Sequence, residues 1–246
     1  GDLLAEQEGL VEVKPIIPVD TVLAPPNPLK LRDVLEELRP DVVHAHHAFT
    51  PLSLLSILAA KSLGICRVLT NHSITIGFEY ELLWRTTSYS LLFPYRYVLS
   101  KADAIISVSR AADRFISSFA DGSVPRYVIP NGVDTEVYSP HQSETQDLRV
   151  LFLGRLVYRK GAHVLLLAFK ELVEEMREAE LVIAGKGVME PFLRALSSAL
   201  GLGSRVKIVG GVSEQRKLEL LRSAAVVCVP SLFGESFGLV AAEAMA

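Results

Sequence analysis

The sequence has few cysteines, and the two it has stand far apart. Cys66 and Cys228 each lie in an apolar run typical of a β-strand. We therefore expect two small core residues with reduced thiols, and neither a disulfide nor a metal site. Reduced thiols are typical of a reducing compartment, so this pattern predicts a cytoplasmic protein.

The sequence also lacks a long apolar segment and an excess of positive charge. Its longest apolar stretch, residues 51–65, is interrupted by Lys61 and by serines, and it falls short of the roughly 20 residues that a membrane-spanning helix needs. The net charge of −3 gives no electrostatic reason to expect a nucleic-acid partner. A composition of 50% hydrophobic and 22% charged residues is instead that of a soluble globular protein.

Two ligand-binding signatures are missing as well. The dinucleotide fingerprint begins at Gly185-Lys186-Gly187, but Glu190 stands where its third glycine belongs, so a dehydrogenase is not favoured. No Asp-x-Asp pair occurs anywhere in the chain. A diphosphate would therefore have to be bound by cationic side chains and backbone amides, and we expect no metal and no other cofactor.

What the sequence does contain is a regular alternation of short apolar runs with segments of helical period. Strands are predicted at residues 11–17, 42–46, 67–70, 104–107, 127–129, 149–153, 180–184, 205–209 and 225–229. Helices are predicted at residues 29–38, 51–63, 80–99, 110–119, 162–174, 189–200, 214–222 and from about residue 237. Several strand runs are apolar throughout, which is typical of parallel strands buried on both faces.

This alternation predicts an α/β protein with two Rossmann-like domains, each a doubly wound parallel sheet, which face each other across a cleft. The first domain is predicted at residues 1–130 and the second at 148–246, with a polar linker at 131–147. The chain opens at Gly1-Asp2-Leu3-Leu4 with no strand before these residues, and the last helix is still running at Ala246. We therefore expect the N-terminal part of the first domain and the C-terminal part of the second to be missing.

Ligands of open α/β sheets bind beyond the carboxyl ends of the strands, and two cations stand there. Arg155 and Lys160 lie five residues apart at a strand-to-helix corner, between Gly154 and Gly161. A guanidinium and an ammonium beside the amides of a helix N-terminus suit a diphosphate. The alternative is a solvated charged loop, and the flanking glycines favour the diphosphate because they let the backbone approach a ligand closely.

Two carboxylates follow the last predicted strand. Glu235 lies at a glycine-flanked turn and Glu243 eight residues later, which along a helix corresponds to roughly 12 Å. A carboxylate accepts two hydrogen bonds from a sugar diol, so the pair predicts receptors for the hexose and the ribose of a nucleotide sugar. The amides of residues 237–239 between them would face the diphosphate. The alternatives are a helix-start residue for Glu235 and a surface charge for Glu243.

Four histidines, His44, His46, His47 and His72, follow or end predicted strands of the first domain. Their spacing matches no His-x3-His arrangement and no acidic or cysteine ligand stands beside them, so a metal site is disfavoured. A histidine at a strand end is better suited to donate a hydrogen bond to a substrate. For His44, which lies nearer the middle of its strand, we expect burial in the core.

Three motifs together resemble retaining glycosyltransferases of family 4, which have the GT-B fold. They are G-R-L-V-Y-R-K-G at 154–161, an E-x7-E element containing S-F-G-L at 235–243, and N-G-V-D at 131–134. The resemblance covers nearly the whole chain. Within the family, V-H-A-H-H-A-F-T-P at 43–51 and T-N-H-S at 70–73 are most similar to transferases that move N-acetylglucosamine from UDP to phosphatidylinositol.

The resemblance implies a role for each matching residue. The implied catalytic residues are His46, Arg155, Lys160 and Glu235, where the two cations bind the diphosphate and Glu235 holds the donor sugar. Glu243 is implied to hold the ribose. The other implied donor contacts are Gly154, Gly185, Ser236, the amides of Phe237, Gly238 and Leu239 at the phosphates, and Val206 at the base.

The implied activity is transfer of a hexose-type sugar, such as N-acetylglucosamine, from a UDP-linked or other nucleoside diphosphate sugar, with retention of configuration. The acceptor would be a small molecule or a phosphatidylinositol-type lipid. Two alternatives remain open: a sugar-nucleotide epimerase, and a nucleotide-sugar-binding fragment without complete catalysis. The aromatic-rich stretch at 80–97, with Arg85 and Arg96, is explained either by core packing or by peripheral contact with the cytoplasmic face of a membrane.

Overall fold

The computed structural model describes residues 26–74, 93–140 and 146–246. The chain divides into two compact units, Gly1–Pro130 and Asn131–Ala246. The predicted strand at 11–17, and the part of the predicted helix and aromatic stretch up to residue 92, lie outside the described residues. Of the helices that are described, none has both the length and the apolar character needed to cross a membrane.

The first unit contains a parallel sheet whose strands lie in chain order. The strands are β1 (Val42–His46), β2 (Cys66–Asn71), β3 (Ala104–Ser107) and β4 (Arg126–Val128). Its described helices are α1 (Pro28–Leu38), α2 (Pro51–Ser62), α3 (Phe93–Leu99) and α4 (Arg110–Ser117). Helix starts follow capping chemistry: the side chain of Asn27 accepts amide hydrogen bonds of α1, and that of Ser109 does the same for α4.

The core of the first unit lies between one face of this sheet and the helices. Ala45, Leu69 and Ile105 lie side by side in β1, β2 and β3 and are buried. Ile57 of α2 and Ile116 of α4 pack against them with no exposed surface. This alternation along each strand turns the neighbouring residues of β1 to the opposite face of the sheet.

The second unit contains another parallel sheet, in the order β7-β6-β5-β8. The strands are β5 (Gln146–Leu153), β6 (Glu180–Ala184), β7 (Val206–Gly210) and β8 (Ala224–Cys228). The helices are α5 (Ala162–Glu175), α6 (Glu190–Ala199), α7 (Glu214–Ser223) and α8 (Leu239–Met245). Short 3-10 turns lie at Tyr158–Lys160 and Gly203–Arg205.

Helices cover both faces of this second sheet. Phe152 and Ile183 lie in one buried cluster with residues of α5 and α6. Their chain neighbours Leu151 and Val182 lie in a separate cluster with Leu220 of α7. Since successive strand residues alternate between faces, the sheet is doubly wound, and its central strands are apolar throughout because both faces are buried.

Several element bounds and the predicted burial of the cysteines differ from the structure. Strand β5 begins at Gln146, three residues before the predicted start. Helix α8 was predicted from about residue 237 but begins at Leu239, because Gly238 precedes it in a left-handed conformation with φ of +82°. The expectation that both cysteines lie in the core is wrong: Cys66 is exposed and Cys228 is only half-buried, and both are free thiols. Cys66 is exposed because it is the first residue of its strand.

Candidate functional site

The second unit carries a cavity of about 300 Å³ where β5 and β8 end. It lies beyond the carboxyl ends of the strands, where open α/β sheets place their ligands. Of the predicted donor-site residues, the cavity is lined by Gly154, Arg155, Lys160, Glu235, Ser236, Gly238 and Leu239. The two sequence motifs, one after β5 and one after β8, therefore form one site.

Close backbone packing brings these two loops together. A Cβ atom at Gly161 would lie 2.0 Å from the carbonyl oxygen of Pro230, which follows β8. Gly161 also has φ of +72°, a conformation that residues with a side chain rarely adopt. Only glycine allows this contact, and the contact places Lys160 against the loop that bears Glu235.

Lys160 and Glu235 form an ion pair at the wall of the cavity. The Nζ of Lys160 donates to Oε2 of Glu235, and the hydroxyl of Ser231 donates to the same oxygen at 2.8 Å. Burial favours a higher pKa for Glu235, but the hydrogen bonds from Lys160 and Ser231 outweigh it, and the pKa lies below its usual value. Glu235 is therefore a carboxylate at neutral pH, and its Oε1 accepts no hydrogen bond from the described residues.

Two arginines flank this pair in different ways. Arg155 lines the cavity with an exposed side chain and makes no ion pair within the described residues. Arg159 donates from Nη1 to the carbonyl oxygen of Gly234 at 2.8 Å, and its own carbonyl accepts from the amide of Leu232 at 2.8 Å. Arg155 is thus available to an anion, whereas Arg159 fixes the loop that leads to Glu235.

Sequence reasoning missed Arg159 and Ser231. Arg159 lies inside the quoted motif at 154–161, where its position beside Lys160 was the available signal. No sequence motif indicates a role for Ser231, because its contact with Glu235 depends on how the loop folds.

Glu243 lies in α8 with 8% of its surface exposed, so it is not a solvated surface charge. Its Oε1 accepts from Nζ of Lys217, on α7, at 3.1 Å. Glu235 lies in the loop before α8, as its glycine-flanked position predicts, and the helix begins only at Leu239, so a helical rise does not describe the whole span between the two carboxylates. Glu235 lines the cavity and Glu243 does not.

Three other predicted donor contacts are not among the residues that line the cavity. Val206 is the first residue of β7, so it lies at the amino-terminal edge of the sheet, opposite the cavity, and packs against the core. Gly185 instead allows two loops to meet, since a Cβ there would lie 1.8 Å from the carbonyl oxygen of Gly154. Phe237 precedes α8 and is half-buried.

Ser236 stands in the sequence G-E-S-F-G, which also matches the pattern of a nucleophile elbow. The serine lies in the loop before α8, and its hydroxyl makes no hydrogen bond to a histidine of the described residues. The structure therefore supplies no Ser-His pair there, and the motif acts as part of the cavity wall.

The histidines of the first unit gather at the carboxyl edge of its sheet. Nδ1 of His46 lies 3.0 Å from Nε2 of His72, and the His47 ring centroid lies 4.9 Å from that of His72. Nε2 of His44 lies 2.7 Å from the hydroxyl of Thr70. The expectation that His44 is a core residue is wrong, because it lies on the sheet face opposite Ala45 and is exposed.

Burial and the neighbouring imidazoles lower the pKa values of two of these histidines. Desolvation, followed by the neighbouring His46, lowers the pKa of His44. Desolvation, followed by His47, His46 and His44, lowers the pKa of His72. The described residues include no set of three or more histidine, cysteine, aspartate or glutamate side chains arranged to hold a metal ion.

The chain matches two sequence families. Residues 2–137 match the family described as Glycosyltransferase Family 4, and residues 134–246 match that described as Glycosyl transferases group 1. The two matches meet near the division between the two units.

Named relatives are similar along most of this chain. A phosphatidyl-myo-inositol mannosyltransferase of Mycolicibacterium smegmatis is 35% identical, over 84% of this chain and 51% of its own length. A phosphatidylinositol N-acetylglucosaminyltransferase component of Arabidopsis thaliana is 27% identical, over 87% and 47%. The chain therefore spans about half the length of the curated relatives it matches.

The solved structure of Anabaena HepE in complex with UDP has a similar fold. It superposes with a TM-score of 0.71 at 22% identity, over 89% of this chain and 60% of that one. This similarity, together with the two parallel sheets, confirms the predicted fold class. Because the family 4 match alone extends over more than half of the residues, the chain belongs to glycosyltransferase family 4.

Proposed function

We propose that the protein transfers a sugar from a nucleoside diphosphate sugar to an acceptor, and that the second unit binds the donor. The observation that carries this proposal is the cavity beyond β5 and β8, where Arg155 and Lys160 stand beside the carboxylate of Glu235. Two cations and an ionised hydrogen-bond acceptor in one cavity suit a ligand that combines a diphosphate with sugar hydroxyls. Membership of family 4 supports the same activity.

In this proposal the chemical work is electrostatic. Negative charge grows on the diphosphate as its bond to the sugar breaks, and fixed cations stabilise it most strongly at that stage. Arg155 supplies a guanidinium that no described carboxylate neutralises. Lys160 is paired with Glu235 in the donor-free protein, so donor binding redirects part of its interaction to the phosphates.

Glu235 then receives hydroxyls of the donor sugar. Its Oε1 is available while Oε2 is held by Lys160 and Ser231, so the carboxylate already has a fixed orientation. A receptor that is oriented before the ligand arrives loses little entropy on binding. Glu243 is assigned to the ribose, and His46 of the first unit is assigned to assist at the reacting centre.

The finer assignments rest on the relatives. Both named relatives are, by name, transferases of phosphatidylinositol lipids, one mannosyl and the other N-acetylglucosaminyl, and HepE was solved with UDP. We therefore assign a UDP-linked hexose as donor, a phosphatidylinositol-type lipid as acceptor, and peripheral contact with the cytoplasmic face of a membrane. We further assign retention of configuration and independence of metals, since cationic side chains are available for the diphosphate.

The test is transfer of labelled sugar to lipid. The protein is incubated with UDP-N-acetylglucosamine and vesicles that contain phosphatidylinositol, and label is measured in the extracted lipid. Lys160→Ala is expected to abolish the transfer, whereas Lys170→Ala, on the exposed side of α5, serves as the matched control. Conversion of the donor to an epimer without an acceptor would identify an isomerase and contradict the proposal.

A further inference from the structure

Lys217 lies between two carboxylates of very different exposure. Its Nζ lies 2.8 Å from Oε2 of Glu214, whose side chain is largely solvated, and 3.1 Å from Oε1 of Glu243, whose side chain is 7% exposed. Lys217 itself is 18% exposed. It is therefore the cation that compensates a buried negative charge, and neither residue of the cavity motif, Arg155 or Lys160, contacts Glu243 within the described residues.

A turn from the start of the second unit holds this lysine from the other side. The Nζ of Lys217 lies over the ring of Tyr138, 5.2 Å from the ring centroid. The hydroxyl of Tyr138 donates a hydrogen bond to Oε2 of Glu214 at 3.2 Å. Asp134 forms the turn, since its side chain accepts from the amides of Glu136 and Val137. The N-G-V-D motif thus has a local role: it presents Tyr138 to Lys217.

These contacts fix the charge of Lys217. Burial would lower its pKa, but hydrogen bonds with Glu214, Tyr138 and Glu243 outweigh burial and raise the pKa above its ordinary value. A permanently charged ammonium then stabilises the ionised form of a carboxylate that has little water around it.

The geometry leaves half of Glu243 available. Lys217 engages Oε1, whereas Oε2 accepts no hydrogen bond within the described part of the chain. An ionised carboxylate with one oxygen anchored and the other unengaged is an oriented acceptor for a neighbouring hydroxyl. A carboxylate that had lost this partner would be free to rotate.

We propose that Lys217, held by Tyr138 and Glu214, is a positioning residue that orients ionised Glu243 toward the ribose hydroxyls of the donor and so sets a preference for ribonucleotides over 2′-deoxyribonucleotides. The inference rests on the proposed function, because it needs a nucleotide donor. It adds a residue of α7 to a site otherwise assigned to the loops after β5 and β8 and to Glu243 of α8.

The test compares the affinities of UDP and 2′-deoxy-UDP, measured by calorimetry on the full 246-residue chain. Lys217→Met removes the charge and keeps the length, Lys217→Arg keeps the charge, and Lys170→Met is the matched control on α5. We expect unaltered protein to prefer UDP by about tenfold, the magnitude of one hydrogen bond to a charged group. Lys217→Met should abolish this preference, and Lys217→Arg should retain part of it.

The ratio separates positioning from a structural role. If Lys217 merely stabilised the fold, Lys217→Met would lower the affinities for UDP and 2′-deoxy-UDP equally and leave their ratio unchanged. That result would overturn the inference. In an E243Q background, Lys217→Met should change the ratio no further, and an additional change there would also contradict it. If unaltered protein bound UDP without preferring it over 2′-deoxy-UDP, the inference would be wrong, but the proposed donor site would not be contradicted. If it bound neither, the proposed function would fail too.

Discussion

The two sheets carry opposite kinds of chemistry at their carboxyl edges. In the first unit, imidazoles of His44, His46 and His72 face one another or a hydroxyl, and two of them have lowered pKa values. In the second unit, Lys160 and Glu235 form an ion pair between tightly packed loops. The lowered pKa values of His44 and His72 favour neutral imidazoles at one edge, whereas the lowered pKa of Glu235 favours its carboxylate form beside Lys160 at the other.

This difference indicates a division of labour. Charged side chains at fixed positions suit the diphosphate of a nucleotide sugar, because both of its phosphates are diesters and already ionised near neutral pH. Neutral imidazoles suit the exchange of hydrogen bonds and protons with hydroxyl groups. The comparison therefore favours donor binding in the second unit and hydroxyl chemistry in the first.

The largest effect is expected from Gly185→Ala. The new methyl group would meet the carbonyl oxygen of Gly154 at 1.8 Å, and φ of +149° is strained for alanine. We expect a loss of about 3 kcal/mol in the free energy of unfolding of the second unit, measured by urea denaturation. Gly122→Ala is the control, because nothing lies within 4 Å of its Cβ. Equal stability of the two variants would contradict the close packing of the donor edge.

The next effect concerns turnover. Glu235→Gln removes the charge that receives sugar hydroxyls but leaves Arg155 and Lys160 in place. We expect kcat for sugar transfer to fall roughly 10- to 100-fold, the value of one or two charge-assisted hydrogen bonds, while the affinity for UDP changes little. The measurement pairs initial rates with calorimetry. A loss of UDP affinity as large as the loss of kcat would place Glu235 at the nucleotide instead of the sugar.

A smaller effect is expected from acid. Because the folded-state pKa values of His44 and His72 are lowered, the unfolded chain binds more protons, and stability rises with pH. This contribution is fully present above the ordinary histidine value of 6.5 and is lost as the pH falls below it. The shifted carboxylates of the second unit, Glu180, Glu214 and Glu235, have pKa values below 4.5 and titrate later.

We therefore expect the first unit, and not the second, to lose stability between about pH 7.5 and about pH 5.5. Urea-dependent proteolysis followed by mass spectrometry reports on each unit separately. The double variant His44→Gln, His72→Gln should flatten the pH dependence of the first unit. Equal acid sensitivity of both units would remove the contrast on which the division of labour rests.

The smallest effect is expected from removal of metal ions. If side-chain cations bind the diphosphate, sugar transfer should proceed at an unchanged rate in EDTA. The measurement is the initial rate before and after chelation. Loss of activity that manganese or magnesium restores would show that the cations of the second unit are insufficient.

The elements were largely predictable because the chain alternates apolar strands with capped helices. β1, β3 and β6 have the predicted bounds, since each is a short apolar or β-branched run ended by a polar residue or glycine. The start of α8 was missed because the left-handed conformation of Gly238 delays the helix by two residues. Glycine marks such a position in a sequence but does not reveal which of several turns it makes.

The site was predictable where its residues share an edge of the sheet. Arg155, Lys160 and Glu235 meet because strand order brings the loops after β5 and β8 together. The partners of the carboxylates were not predictable, since Ser231 and Lys217 reach them through loop and helix packing that has no sequence period. Val206 shows the converse: its role came only from the family resemblance, and it lies at the amino-terminal end of its strand.

We propose that the second unit binds the donor through its diphosphate, and a calorimetric comparison of UDP with uridine tests this mode of binding. UDP and uridine are titrated into unaltered protein and into Arg155→Ala. Arg155 lines the cavity and forms no ion pair with a described carboxylate. Its replacement should therefore weaken the binding of UDP by about 1.5–3 kcal/mol and leave the binding of uridine unchanged. Equal losses for UDP and uridine, or no loss for either, would contradict the diphosphate assignment.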